Sequence, residues 1–281
     1  MNPGGRMSEM RAAVAGAGGR MGRAVIRLLA ETEGASLVAS IERTGSPHVG
    51  QDAGSVAEIA ANGVIITDDL QAALGDADAV IDFSAPASTV ALAQAAAEAG
   101  VVLVTGTTGL SAEDGAALNE AARSIPVVQA GNMSLGVNLL AQFVRQAARA
   151  LDSSYDIEVV EMHHRHKVDA PSGTSLMFGA AAAEGRGVAL ADVAVRGRDG
   201  HTGERPEGAI GFAALRGGTV VGDHTVMFAG DGESIELTHR AFDRAIFARG
   251  ALAAARWAIG RHPGRYSMAD VLGLSEEKNP D

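Results

Sequence analysis

Short apolar runs alternate with alanine-rich segments of helical periodicity through the first half of the chain. The apolar runs lie at residues 12–15, 36–41, 64–67, 79–82, 101–105 and 127–129. Each run is almost continuously apolar, which is the pattern of a strand buried on both faces. The helical segments lie at 20–31, 88–99 and 112–124, and Ser111 with Asp114 predicts a capping box for the last of them. This alternation predicts an α/β fold with a doubly wound, parallel, Rossmann-like sheet.

The second half of the chain has a different pattern. A long helical segment at 136–151 precedes a strand at 156–162. Three β-like runs between Gly-rich turns then follow at 208–215, 219–228 and 234–241. These runs predict an α+β domain with a mostly antiparallel sheet. Two shorter segments of helical character close the chain, at 245–259 and 267–272.

Three segments follow from these patterns. We predict a first domain over residues 1–134, a second over 135–244, and C-terminal helices over 245–281 that return to the first domain. Residues 1–10 are polar and contain glycine, and we expect them to be a disordered leader or the product of a start codon assigned too early.

The composition narrows the class of protein. The net charge is −11, the pI is 5.2 and no long run of Lys or Arg occurs, so nucleic-acid binding is not expected. No apolar stretch approaches the roughly 18 residues that suggest a membrane span. The absence of Cys excludes disulfides, Cys-ligated zinc and a thiol nucleophile. These features predict a cytoplasmic, globular protein.

A glycine-rich turn, G-x-G-G-x-x-G, follows the first predicted strand and precedes a helical segment. Glycines here allow a tight turn and let backbone amides approach a pyrophosphate at the helix N-terminus. The candidate cofactor-binding residues are Gly16, Ala17, Gly18, Gly19, Arg20 and Met21. The third glycine falls one position later than in the usual fingerprint, and a merely tight strand-to-helix turn is the alternative.

Glu42 and Arg43 end the second predicted strand, 20 residues beyond Gly22. A carboxylate in this position accepts hydrogen bonds from the adenosine ribose, which favours NAD. Arg43 could instead pair with a 2′-phosphate, which favours NADP. Both residues together predict that either NADH or NADPH binds, and a solvated Glu–Arg pair is the alternative.

Further strand ends are expected at the same carboxyl edge of the sheet, where ligands of such folds bind. The residues at these ends are Asp82, Phe83 and Ser84, then Gly106, Thr107 and Thr108, and finally Ala130, Gly131, Asn132 and Met133. Each group alone is typical of a turn. Behind a dinucleotide motif, they become candidate cofactor contacts.

Residues 161–175 carry the strongest chemical signal. Three of the eight His residues, an Arg and one of only two Lys residues fall at 163–167, in a chain that is net acidic. His163 and Lys167 are candidate general acids, because imidazole and perturbed ammonium groups titrate near neutrality. The chain contains 21 Arg, so a Lys retained at this point indicates chemistry that a guanidinium does not perform.

Residues 171–175 open a helical run at 176–184, whose N-terminal N–H groups would bind a carboxylate or phosphate. This predicts a receptor for a small anionic substrate. His164 and His166 could instead ligate a metal, but no carboxylate stands nearby at metal-site spacing, and no metal is predicted. A purely structural basic loop is the remaining alternative.

Several motifs point together to one family. They are E-x-H-H-R-H-K-x-D-A-P-S-G-T at 161–174, G-A-G-G-R-M-G-R at 16–23, G-T-T-G at 106–109, N-M-S-L-G-V-N at 132–138 and G-H-T-G-E-R at 200–205. From about residue 11 to 272 the chain resembles the 4-hydroxy-tetrahydrodipicolinate reductase (dihydrodipicolinate reductase) family. Alanine or leucine is more usual in that family where this chain has Met162.

The resemblance implies hydride transfer from NADPH or NADH to an unsaturated dicarboxylate ring, which gives tetrahydrodipicolinate in the diaminopimelate–lysine pathway. It implies that His163 is a proton donor or acceptor and that Lys167 is a proton donor. It further implies that His164, Gly173 and Thr174 hold the substrate.

The resemblance also assigns the glycine turn, Glu42, Arg43 and the strand ends at 106–108 and 130–133 to the cofactor. The second domain would then be the substrate-binding and tetramerisation domain of a homotetramer. A hinge motion between the domains would close the site and exclude water.

Three other interpretations remain open at this point. One is another two-domain NAD(P)-dependent reductase of an amino-acid precursor, although an aspartate-semialdehyde dehydrogenase would need a Cys nucleophile. Another is a non-catalytic dinucleotide-sensing protein, which would not need the His- and Lys-rich segment. A metal-dependent hydrolase is a third and weaker candidate.

Overall fold

The computed structural model describes residues 9–275. Its strands are β1 (Met10–Ala15), β2 (Ala35–Ile41), β3 (Ile66–Thr67), β4 (Ala79–Asp82), β5 (Val102–Thr105), β6 (Pro126–Gln129), β7 (Asp156–His163), β8 (Ala194–Val195), β9 (Ile210–Arg216), β10 (Gly222–Gly230), β11 (Glu233–Ala241) and β12 (Gly264–Tyr266). Its helices are α1 (Arg20–Glu31), α2 (Ala53–Val56), α3 (Leu70–Leu74), α4 (Pro86–Ala99), α5 (Ala112–Ala121), α6 (Leu135–Ala150), α7 (Gly173–Arg186), α8 (Leu190–Val193), α9 (Ala245–Ala258) and α10 (Met268–Val271).

These elements form two compact units. One ends at Ser134 and resumes at Ala245, and the other runs from Leu135 to Arg244. None of the helices among residues 9–275 has the length and apolar character needed to cross a bilayer.

The first unit is built on a seven-stranded sheet in the order β12-β6-β5-β4-β1-β2-β3. All its strand pairs are parallel. Helices α3, α4 and α5 pack against one another or against the sheet, while α1 packs with α9. The strand order changes direction between β1 and β4, which is the switch point where ligands bind in doubly wound sheets. The predicted Rossmann-like fold is therefore confirmed.

In this unit, the sequence correctly predicted elements that are marked by a helix cap or by a run of buried apolar residues. α1 and β4 have the predicted bounds, and the Ser111–Asp114 capping box is present at the start of α5. The predicted leader needs a correction, because Met10 is buried and pairs with Ala35 as the first residue of β1. Residues 1–8 lie outside the described residues. β12 was not predicted; it extends the sheet by pairing with β6.

The second unit contains a five-stranded sheet in the order β11-β10-β7-β9-β8. β10 is antiparallel to β11 and to β7, whereas β9 is parallel to β7 and to β8. The sheet is thus mixed: the predicted antiparallel pairs lie on both sides of β10, and two parallel pairs at β9 accompany them. The reason is α7, which follows β7 and returns the chain so that β8 and β9 run in the same direction as β7.

One face of this sheet packs on α6 and α7. Val144 and Phe178 from the helices meet Val159, Phe212 and Phe228 from the strands in a single apolar core. The residues of β7 alternate between this core and the opposite face. The side chains on the buried face of β7 therefore lie next to the start of α7.

Candidate active site

Close backbone approaches shape the glycine turn between β1 and α1. Gly16 has a φ of +74°, a conformation that L side chains rarely adopt. Its N–H donates to the Ile41 carbonyl at 3.0 Å, which ties the turn to the end of β2. A Cβ at Gly22 would lie 2.1 Å from the Gly16 carbonyl oxygen, so only glycine lets α1 pack this closely. The late third glycine therefore has a steric basis.

Glu42 lies beside this turn. Its Oε1 accepts the backbone N–H of Gly18 at 2.8 Å, and its Oε2 accepts the backbone N–H of Arg43 at 3.3 Å. The Arg43 side chain is exposed. The carboxylate predicted to bind a ribose thus also fixes the turn.

A cavity of about 500 Å³ opens at the carboxyl edge of β1, β2 and β4. Its walls include Gly16, Gly19, Glu42, Arg43 and Ser84. The cavity combines the backbone of a glycine turn at a helix N-terminus with a carboxylate and a guanidinium. These groups fit the pyrophosphate and adenosine ribose of a dinucleotide.

The residues predicted to bind the cofactor differ in whether their side chains are buried or exposed. Ala17 and Met133 are buried, so their side chains belong to the core and only their backbone could contact a ligand. Arg20 and Thr108 are exposed. A Cβ at Gly131 would lie 3.9 Å from Cγ2 of Thr108, so the ends of β5 and β6 are neighbours, as predicted.

Asp82 organises the end of β4. Its fully buried carboxylate accepts hydrogen bonds from the hydroxyls of Thr89, Thr105 and Thr107 at 2.6, 2.8 and 3.1 Å. It also accepts the N–H and hydroxyl of Ser84 at 3.0 and 2.5 Å. The Thr107 hydroxyl therefore points inward and holds the loop, so the side chain of this candidate cofactor contact is bound within the protein.

In the second unit, the inner face of β7 changes from apolar to polar along the strand. Ile157 and Val159 enter the core, and Glu161 and His163 follow on the same face. Glu161 is 1% exposed and His163 is 8% exposed. Ionisable groups buried to this degree require internal partners, because burying an unpaired charge is costly.

Both oxygens of Glu161 have partners. Oε2 is hydrogen-bonded to Nδ1 of His163. Oε1 accepts the backbone N–H of Ser172 at 3.1 Å and Nη2 of Arg216 at 2.9 Å. Ser172 is the N-cap of α7, and its hydroxyl lies 3.1 Å from Nε2 of the buried His224. One carboxylate thus joins β7, β9 and the start of α7.

The surroundings favour a neutral His163. Burial has the largest effect and lowers the pKa of His163, Glu161 opposes this, and Lys167 and Arg216 lower the pKa further, so that it lies below its ordinary value. Burial raises the pKa of Glu161, but the hydrogen bonds from Arg216 and His163 outweigh it and the pKa is lowered. An ionised carboxylate only accepts, so His163 carries its proton on Nδ1 and presents Nε2 as an acceptor.

The loop after β7 holds the other predicted residues. Nζ of Lys167 pairs with Oδ1 of Asp169 at 2.8 Å, and the Lys167 side chain is 20% exposed. Nη2 of Arg216 donates to the Asp169 carbonyl at 2.6 Å. Nε2 of His164 lies 3.4 Å from Nη2 of Arg244. Arg216 therefore connects the Lys167 loop to Glu161.

α7 begins at Gly173, three residues before the predicted run. The hydroxyl of Ser172 accepts the Ser175 N–H at 3.2 Å, which satisfies one amide of the first turn. Gly173 is exposed and Thr174 is half-buried. The positive end of the helix dipole thus lies beside the Glu161–His163 pair, where an anion would be stabilised.

Glu161, His163 and His224 bring three potential metal-binding atoms within 4.8 Å of one another. This cluster differs from the metal site considered from the sequence, which concerned His164 and His166 and not His163. Glu161 is already paired with the Arg216 guanidinium and with Nδ1 of His163, and Lys167 adds further positive charge. We assign no metal to this cluster.

Family comparisons cover both units. The model described as "Dihydrodipicolinate reductase, N-terminus" matches residues 10–133, and the model described as "Dihydrodipicolinate reductase, C-terminus" matches residues 136–272. The chain belongs to the dihydrodipicolinate reductase family. The glycine turn and Glu42 fall in the N-terminal part of this family, and the His-rich segment falls in its C-terminal part.

Relatives and solved structures agree with this membership. The 4-hydroxy-tetrahydrodipicolinate reductase of Parvibaculum lavamentivorans is 60% identical over 268 residues, which are 95% of this chain and 99% of that protein. The enzyme of the same name from Afipia carboxidovorans is 59% identical over 271 residues, 96% and 100% of the two chains. A dipicolinate-bound dihydrodipicolinate reductase from Paenisporosarcina sp. TG-14 has the same fold, with a TM-score of 0.73 at 23% identity over 93% and 98% of the chains.

Several residues of the candidate active site of this reductase were not predicted from the sequence. Glu161 was noted only as part of a motif, although it lies two residues before His163 on a strand, which places both side chains on one face. Arg216 and His224 come from other strands, and no local pattern connects them to Glu161. His48 was missed as well; it lies so close to the glycine turn that a Cβ at Gly18 would be 2.2 Å from its Cδ2.

Proposed function

We propose that the chain catalyses the NAD(P)H-dependent reduction of 4-hydroxy-tetrahydrodipicolinate to tetrahydrodipicolinate, in the diaminopimelate and lysine pathway. The observation that carries the proposal is the buried Glu161–His163 pair, connected to the Lys167 loop and to the start of α7. It occurs in a chain whose relatives at 59% and 60% identity are reductases of that name.

The first unit is assigned to NADH or NADPH. Amides in the first turn of a helix lack intrahelical partners, so those of Arg20 and Met21 suit the pyrophosphate. Glu42 accepts the ribose hydroxyls, and Arg43 pairs with the 2′-phosphate of NADPH. When bound, the nicotinamide supplies the hydride.

The second unit is assigned to the dicarboxylate substrate. The exposed Gly173 and the neighbouring Thr174 present the N-terminal amides of α7 to one carboxylate. His164 and the cations of the loop balance the remaining negative charge in a protein that is net acidic. Substrate binding thus depends on a positively charged loop in a protein whose net charge is negative.

The reaction takes up one hydride and one proton and releases water from the hydroxylated ring. Loss of water takes one proton from the ring and gives one to the leaving hydroxyl group, whereas reduction adds the hydride and one proton. Nε2 of His163 accepts the ring proton, Glu161 stabilises the imidazolium that results, and His163 then returns the proton to the leaving hydroxyl group. Lys167 donates the proton that accompanies the hydride, because its ammonium group carries protons whereas Nε2 of the Nδ1–H form of His163 carries none.

We further propose that the protein is a cytoplasmic homotetramer. The sheet face of the second unit opposite α6 and α7 carries Val160, Met162, Leu215 and Met227, and Leu215 is 53% exposed. Apolar side chains on a sheet face suit an interface between copies of the chain. Cytoplasmic action follows from the biosynthetic reaction proposed.

A spectrophotometric assay with enzymatically generated substrate tests the proposed activity. NADH and NADPH are offered in turn, and oxidation of the nicotinamide is followed. We expect substrate-dependent oxidation of both cofactors. Oxidation of neither, in a folded protein that binds both cofactors, would refute the proposed activity.

A further inference from the structure

We propose that Glu161 is a positioning residue that fixes the tautomer of His163 and ties this ring to the first turn of α7. The inference rests on the proposed function and deepens it. In this proposal, Glu161 positions both the imidazole that accepts a proton and the helix start that binds the substrate.

The bonds of Glu161 divide between the two sides of the site. Oε2 holds the Nδ1 atom of His163, and Oε1 holds the Ser172 amide, directly before the α7 residues assigned to the substrate carboxylate. Glu161 and His163 lie on one face of a paired strand, so the carboxylate has a fixed backbone position. A displacement of Glu161 would move the proton acceptor and the helix start together.

Arg216 makes the buried carboxylate tolerable. Its guanidinium bonds Oε1 of Glu161 at 2.9 Å and the Asp169 carbonyl at 2.6 Å. Asp169 in turn pairs with Lys167. A buried carboxylate without a cation would tend to become protonated and could then no longer dictate the tautomer of its neighbour. The chain Glu161–Arg216–Asp169–Lys167 therefore places both proposed proton-transfer residues in one hydrogen-bonded network.

Several titratable or charged groups surround His163. Glu161 lies on its own strand, Lys167 on the following loop, Arg216 on β9 and His224 on β10. His239 on β11 faces His224 in turn. Glu161 is the member of this group that raises the pKa of His163, whereas Lys167 and Arg216 lower it.

The variant Glu161→Gln tests the inference. A glutamine amide can donate to Nδ1, so His163 should switch its proton to Nε2 and lose its acceptor there. We expect kcat to fall at least about 10-fold, part of the 10²–10⁴ that a positioned acid–base group contributes. The limb of the kcat/KM pH profile that reports His163 should move to lower pH, and NADPH affinity should stay unchanged.

The matched control is Glu158→Gln, on the opposite face of the same strand. Glu158 is paired with Arg198 and Arg205. Its substitution therefore removes an arginine-paired carboxylate from the same strand but leaves the contacts of His163 unchanged. We expect the control to keep the parental pH profile. A Glu161→Gln enzyme within about twofold of the parent at every pH would overturn the inference.

Ring ¹⁵N NMR of histidine-labelled protein reads the tautomer without any assay of activity. The His163 signals, assigned with a His163→Asn variant, should show Nδ1–H in the parent and Nε2–H in Glu161→Gln. The same tautomer in both would refute the inference, whereas an inactive parent with the expected tautomers would refute only the proposed reaction. If Glu161→Gln does not fold, Arg216→Gln replaces it. Loss of that cation should let Glu161 take up a proton and donate it to Nδ1 of His163, so the ring ¹⁵N signals should show Nε2–H. An unchanged Nδ1–H signal in Arg216→Gln would count against the network.

Discussion

Oε1 of Glu42 accepts the backbone N–H of Gly18 at 2.8 Å, which joins the end of β2 to the turn before α1. The carboxylate is thereby held in place by the protein itself. Arg43 uses only its backbone N–H in this arrangement, and its side chain lies in solvent. Glu42 should therefore serve both cofactors, while Arg43 distinguishes between them.

Arg43→Ala should weaken the binding of NADPH by about 1–3 kcal/mol, the scale of a charge-assisted hydrogen bond. NADH has no 2′-phosphate, so its affinity should change little. Calorimetric titration with each cofactor gives both values. Equal losses for NADH and NADPH would show that Arg43 does not contact the 2′-phosphate.

Gly18→Val should abolish cofactor binding in a protein that still folds, but the structure supplies two possible causes. The new side chain would obstruct the pyrophosphate, and it would also collide with His48, since a Cβ at Gly18 lies 2.2 Å from Cδ2 of that ring. The double variant Gly18→Val/His48→Ala separates them, because it removes the collision alone. Binding should stay lost in the double variant when measured by nucleotide titration. Its recovery would assign the effect to His48, and normal binding by Gly18→Val itself would contradict the dinucleotide site.

Lys167→Arg should fold, bind NADPH normally and lose at least about 100-fold in kcat, the low end for a general acid. Arginine keeps the positive charge and can still pair with Asp169, but it does not release a proton near neutral pH. Steady-state kinetics and cofactor titration provide the comparison, with Asp169→Asn as the control for loss of the ion pair. Turnover within a few-fold of the parent would make Lys167 an anchor for a substrate carboxylate.

His224 should make the protein less stable in mild acid. Burial lowers the pKa of His224 from 6.5 to about 4, so the unfolded chain binds the proton more readily than the folded one. The stability is present above pH 6.5 and is lost as the pH falls towards 4; the full shift corresponds to about 3 kcal/mol. Urea unfolding of the parent and of His224→Gln, which cannot titrate, should give free energies that diverge in this window. Parallel curves would contradict the buried, neutral assignment.

The sequence predicted most of the helices and strands that are determined by the residues within them. β4 is apolar from Ala79 to Ile81 and ends at Asp82, and α1 begins directly after Gly19, so the bounds of both elements were predicted correctly. β12 was missed because its three residues, which include Gly264 and Arg265, carry no hydrophobic pattern, and the strand is defined by its pairing with β6. The parallel pairing of β9 was missed because strand direction follows from α7 and not from the residues of β9.

The candidate site divides in the same way. His163 and Lys167 could be chosen from residue type and spacing within one segment. The groups around Glu161 could not be chosen in this way, because Arg216 and His224 lie on other strands and come near Glu161 only through strand pairing. Conversely, Thr107 was predicted to be a cofactor contact, and its hydroxyl is bound to Asp82, since a buried carboxylate requires donors.

Hydride transfer from the nicotinamide to the dicarboxylate ring can be followed with NADPH that is doubly deuterated at C4 of the nicotinamide, by measuring the mass of the product. We predict tetrahydrodipicolinate that carries one deuterium, formed only when enzyme, substrate and cofactor are all present. Product without deuterium, or no product from folded enzyme that binds NADPH, would refute the proposed hydride transfer.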